Sequence, residues 1–206
     1  MTNPVIEAIN KRRSIRAYES KPIPKDIIDT IIDAGNQAPS TMGMLKGVLR
    51  FQPWRFVVVE DQEFKQKLFQ TVLPIWKKMT ESMKEMDLET YKKVQTLYNE
   101  MDDPKDMIYH RAPVIIFVIG PISNAVSCAL ACENIMITAT SLGLGSCYTG
   151  FGAMVKSDAD VVKALELEDD ERIYGPILLG YPKDDPKVRF MDQHDSRYVE
   201  PAIKWI

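Results

Sequence analysis

The chain has no surplus of basic residues: 26 Lys and Arg stand against 29 Asp and Glu, a formal charge of −3 over 206 residues. A nucleic-acid binder normally shows a basic excess or stripe, so no nucleic-acid partner is expected. Cysteine is scarce. Cys128, Cys132 and Cys147 are odd in number in a chain that is not small, which argues against a disulfide framework and fits a reducing cytoplasm. His110 and His194 are the only histidines. Cys128 and Cys132 share a helix face at i, i+4, but a zinc site would need further ligands, and no cysteine cluster suits an iron–sulfur centre. No metal is expected. The longest apolar run, Ala112 to Ile122, contains two prolines and is too short to span a bilayer, so no membrane partner is expected. Met1-Thr2-Asn3-Pro4 lacks the charged and apolar regions of a signal peptide.

What is present suits a globular core, with 45% hydrophobic residues. Asn3 before Pro4 is a helix start. Ile27, Ile28, Ile31, Ile32 and Ala34 have helical spacing, stopped by Pro39. Phe56 to Val59 and Val114 to Ile119 read as buried strands. Residues 61–73 read as an amphipathic helix. Residues 74–106, rich in Lys, Glu and Met, read as two helices leaving the core, either extra packing or a mobile lid. Ser123 is the expected cap of a helix running to Ser141, apolar nearly all round, which Gly143 ends. Cys147 to Thr149 and Pro176 to Leu179 are further strands, and Ser157 caps a helix between them. A polar tail follows and ends on Ile203, Trp205 and Ile206. No repeat or linker divides residues 1–206, which read as a single domain. The alternation favours an α+β fold, a mixed central sheet sandwiched by helices.

Arg12-Arg13-Ser14-Ile15-Arg16 is the densest chemical signal. Guanidinium groups bind phosphate through bidentate, charge-assisted hydrogen bonds; the same cluster also suits a solvated basic surface. The glycines at 143, 145 and 150 follow a helix instead of opening one, so they are not a dinucleotide fingerprint.

Taken in order, Arg12 to Arg16, Pro39-Ser40, Gln52-Pro53-Trp54-Arg55-Phe56, Leu142 to Cys147 and Leu179-Gly180-Tyr181-Pro182 resemble the FMN-dependent nitroreductase family over almost the whole chain. The resemblance implies a three-layer nitroreductase-like fold and a homodimer with FMN at its interface, reached by a C-terminal arm. It implies electron transfer from NADH or NADPH to a small oxidised substrate of nitroaromatic, quinone or enone type. Arg12, Arg13, Ser14 and Arg16 would hold the flavin phosphate and pyrimidine edge, with Arg16 near N1 and O2. Pro39, Ser40 and Thr41 would come from the other subunit. Tyr148, Thr149, Gly150 and Phe151 would lie beside N5, with the Gly150 N–H as donor. Lys187 and Arg189 would complete the phosphate site. No side chain is nominated as a catalytic acid or base. The pattern departs from the family in the loop 42–50, which carries no Asn after Pro39-Ser40, and in Thr149, where some members have Glu. Two alternatives stand beside this reading: a non-redox, flavin-consuming or flavin-carrying member of the fold, and a partner protein that has lost the site.

Overall fold

The computed structural model describes residues 3–40, 52–101, 105–184 and 201–205. Asn3 caps α1 (Pro4–Lys11), its Oδ1 accepting from the Ile6 N–H at 3.0 Å. α2 (Lys25–Asn36) buries Ile28 and Ile31 and leads, beyond the loop, to β1 (Arg55–Val59). Asp61 caps α3 (Gln62–Met86) and Asp87 caps α4 (Leu88–Glu100), each through a side-chain oxygen. β2 (Val114–Pro121) precedes a short 3-10 turn and α5 (Ala125–Ser141). After Gly143 at φ 78° come β3 (Gly145–Tyr148), a second 3-10 turn at Phe151–Ala153, α6 (Ala159–Ala164) and β4 (Glu171–Gly180).

β4 starts at Glu171, five residues before the expected Pro176, and β3 spans Gly145–Tyr148 instead of Cys147–Thr149; three helix boundaries differ as well. α3 runs straight through Pro74, where a break was expected. Pro74 cannot bond the carbonyl of Gln70, but Gln70 is exposed, so water can satisfy that oxygen, while Leu68, Val72 and Trp76 bury the opposite side. Asn124, not Ser123, precedes α5, and neither side chain caps it. Asp158, not Ser157, caps α6, accepting from Asp160 N and Val161 N. A carboxylate is at least as good a cap as a hydroxyl and complements the helix dipole.

The sheet order is β1-β2-β4-β3, with every pairing antiparallel. A parallel bridge from Ser14 to Ser146 adds the N-terminal segment beyond β3. β2 shows why the sheet is covered twice. Val114, Ile116 and Val118 face one side; Ile115, Phe117 and Ile119 face the other; all are fully buried. α2 and α5 pack on the first side with Ile31, Ala131 and Ile135. α3, the 106–112 turn and α6 pack on the second with Leu68, Trp76 and Val161. Burying six such side chains stabilises by about 1.5–3 kcal/mol each. Cys128, Cys132 and Cys147 are buried as free thiols. α5 is the layer's centre yet leaves Val126 70% exposed and Leu130 exposed. Val5, Ile6 and Ile9 of neighbouring α1 are exposed as well.

One irregularity in the sheet bears on the loop beyond β3. Opposite Ile116 to Val118, β4 runs from Ile177 to Tyr174, one residue more than β2. Gly175 sits in this bulge at φ 93°, a region open to glycine and strained for other residues. Pro176 beside it has no N–H to pair.

Candidate functional site

The basic segment is fixed by the sheet. Ile15 N donates to Ser146 O at 2.9 Å, so residues 14–16 lie along the outer edge of β3. The approach is close: a Cβ on Gly145 would sit 2.8 Å from Ile15 side-chain carbons, so the position has no room for a larger residue. Further along, Glu19 N bonds Tyr181 O and Lys183 N bonds Ala17 O, tying the segment to the end of β4.

The cations of the segment do different things. Arg12 Nε lies 3.7 Å from Glu133 Oε1 on α5. Arg13 donates through Nη1 to Asn10 O and Arg12 O, closing the C-terminal carbonyls of α1. Arg16 Nη1 donates to Ser14 O at 3.1 Å. All three side chains and Ser14 are half-buried.

At the other end of β3 the chain turns through Tyr148, Thr149, Gly150 and Phe151. The β4 bulge anchors it: Thr149 N donates to Pro176 O at 3.1 Å. Gly150 is in the helical region, with open space where a side chain would stand. Its N–H has no hydrogen-bond partner among the described residues. Tyr148 is exposed.

A third component, not expected from the sequence, is the turn 106–112. His110 and Arg111 are consecutive residues with positive φ, 50° and 53°. Left-handed backbone at non-glycine residues costs about 1–3 kcal/mol each and persists only when surroundings hold it. Here Asp106 holds it, accepting from Ile108 N, Tyr109 N and Arg111 N at 2.8–3.0 Å. Buried Lys65 donates to Ala112 O and Pro113 O at 3.0 and 2.7 Å; burial lowers its pKa. Tyr109 OH donates to Gly152 O at 2.8 Å, joining the turn to the 149–152 loop. His110 is 7% exposed and its Nδ1 has no partner among the described residues. Burial first, then the Arg16 charge, lower its pKa to about 3. Ser146 Oγ is the second buried polar atom here without a partner.

Pro39 and Ser40 lie elsewhere. Asn36, three residues before Pro39, receives Gln52 Nε2 on its carbonyl and Trp54 Nε1 on its side chain, both at 3.1 Å. The Gln-Pro-Trp motif thus clamps the end of α2 to the start of β1. β1 and β3 are the two outer strands, three spacings or about 14 Å apart. β1 starts opposite Ile119, whereas β3 starts opposite Gly180. Pro39-Ser40 thus follow the end of α2 near β1, while Arg12–Arg16 run beside β3; α5 touches both regions, Glu133 lying against Arg12 and the next residue, Asn134, donating to Ala34 O. Thr41, Lys187 and Arg189, and the 42–50 loop, fall outside the described residues.

His110 gave little away in sequence. Its placement depends on backbone twist and on the Asp106 and Lys65 bonds that hold the turn, both invisible to spacing rules.

The model of the Nitroreductase family matches residues 9–181. A protein of Methanothermobacter thermautotrophicus, provisionally described as an NADH dehydrogenase/NAD(P)H nitroreductase, is 26% identical over 208 aligned residues, covering 98% of this chain and 87% of that protein. A crystal structure of a nitroreductase with bound FMN from Bacteroides fragilis aligns with a TM-score of 0.65 at 25% identity, covering 98% of this chain and 96% of the other. A nitroreductase with bound FMN from Desulfitobacterium hafniense aligns with a TM-score of 0.72 at 21% identity, covering 98% and 100%.

Proposed function

This chain belongs to the nitroreductase family, and from that membership we propose that it is an FMN-dependent oxidoreductase carrying electrons from NADH or NADPH to a small oxidised acceptor. The observation that carries the reading is the convergence on one sheet edge of Arg12, Ser14, Arg16 and a Gly150 N–H without a partner among the described residues.

The residues present fit such a cofactor. Guanidinium and hydroxyl groups suit a phosphate. The open volume at Gly150 lets backbone come close to a flat ring. Bound FMN would supply the two-electron transfer. Arg12 and Ser14 hold the phosphate, with Lys187 and Arg189 assigned to the same task. Arg16 sets positive charge beside the pyrimidine edge, which favours the reduced, anionic form. Arg13 holds α1 in place through its carbonyls, and so orients the residues on either side. Tyr148 and Phe151 would border the bound ring, and the Gly150 N–H would be the donor toward its N5. No side chain needs to donate or take a proton in this scheme.

Pro39, Ser40 and Thr41 are assigned to the flavin of a second copy. They follow α2, not the β3 edge along which Ser14 and Arg16 run. The exposed apolar residues of α1 and α5 are the proposed interface of a two-fold homodimer. The α3–α4 hairpin, with exposed Met79, Met83 and Met86, is the proposed lid, and the acceptor is of nitroaromatic, quinone or enone type. Buried thiols without disulfides fit the cytoplasm.

Purified protein should be yellow, release FMN on denaturation and oxidise NAD(P)H over many turnovers per flavin. Arg12→Ala should weaken FMN binding about tenfold or more while leaving riboflavin, which lacks the phosphate, bound as before. Equal losses for both flavins would remove the phosphate assignment.

A further inference from the structure

We propose that His110 is a ligand-binding residue of this site, its unpartnered Nδ1 being a hydrogen-bond partner for the polar pyrimidine edge of the flavin. This rests on the flavin reading, and adds to it a residue from outside the family motifs.

A buried polar atom without a partner is rare and calls for a reason. At His110 the reason is not loose packing. The residue is held in a left-handed conformation, next to a second one, by three hydrogen bonds to Asp106 and two from Lys65. Strained backbone so firmly held is a mark of functional sites. Ser20, Lys65, Tyr109 and Arg111 line a cleft of about 320 Å³ on one side of the turn. His110 is missing from that lining and lies instead where the Arg16 charge acts on it. Its neighbour Tyr109 reaches Gly152, two residues past Gly150. His110 is thus bracketed by the two segments assigned to the flavin.

The chemistry matches. A neutral imidazole offers one donor and one acceptor. The pyrimidine edge of a flavin carries carbonyl acceptors and an N3–H donor. Burial, aided by the Arg16 charge, keeps His110 neutral, so it can serve either partner without adding to the charge already there.

The test uses flavin-free protein titrated with FMN and with riboflavin, followed by flavin fluorescence. His110→Phe fills the space without a hydrogen bond; His110→Asn keeps a polar group and tolerates left-handed backbone. His110→Phe should weaken both flavins alike, about five- to tenfold, whereas Arg12→Ala should weaken FMN alone. Loss of an orphaned nitrogen should leave flavin-free His110→Phe at least as heat-stable as the wild type. In ¹⁵N-histidine-labelled wild type, which has only two histidines, the His110 ring signals should shift on adding either flavin. Unchanged affinity in both variants together with unmoved His110 signals would overturn the inference while FMN still binds. If a variant does not fold, the wild-type signals decide. If the wild type binds neither flavin, the flavin reading itself fails and this one with it.

Discussion

Burial and the Arg16 charge hold His110 neutral down to about pH 3, whereas the unfolded chain protonates the same imidazole near pH 6.5. Between these values the unfolded state binds more protons than the folded one. Stability therefore falls as pH is lowered through that window, by up to about 1.4 kcal/mol per pH unit from this residue, and the contribution is fully present above pH 6.5. Urea unfolding at pH 7 and pH 4.5 should show wild type losing about 2 kcal/mol more than His110→Phe. Parallel losses in the two proteins would mean that His110 is protonated normally in the fold. At this scale the sequence showed half of the site. Arg12, Ser14 and Arg16 stand out because charge clusters are visible in a string of letters. The division of labour among them is not, since Arg13 turns back onto the carbonyls of its own helix only in three dimensions.

The element that sets the site is the bulge in β4. Its extra residue lets Pro176 turn its carbonyl to the Thr149 N–H, and so fixes the loop that presents Gly150. Gly175→Ala would put a side chain at φ 93° and should cost about 1–3 kcal/mol of stability. It should also weaken flavin binding, because the loop follows the bulge. Thermal unfolding and FMN titration check the two effects; a stable variant with weak binding, or the reverse, would uncouple bulge and loop. Most helices and strands were legible from apolar period and caps, α1 from Asn3-Pro4 above all. The stop misplaced at Pro74 has a tertiary cause. Pro74 reads as a stop because local rules ignore that the tertiary surface buries Leu68 and Trp76 on either side of it. The bulge escaped because Gly-Pro in sequence signals a turn as readily as an irregular strand.

For the whole molecule, the proposed function assigns Arg12 and Ser40 of one chain to two different flavins. Mixed dimers make this measurable. Arg12→Ala protomers combined with protomers altered at Pro39 and Ser40 should regain one intact flavin site per dimer, although each parent alone binds poorly. Binding that stays weak in the mixture would place both segments on one protomer's flavin, or neither. The α+β layering was legible because β2 is apolar on both faces and so requires cover on both.

The sealed thiols open a practical route to the lid question. Burial pushes Cys128 up to about 11 and Cys132 to about 12, and Cys147 is equally out of reach. A maleimide-linked spin label therefore finds no foothold on the native protein. Lys92→Cys, on the exposed side of α4, would give the label a solitary handle, and its tumbling would report whether that hairpin swings when nicotinamide arrives.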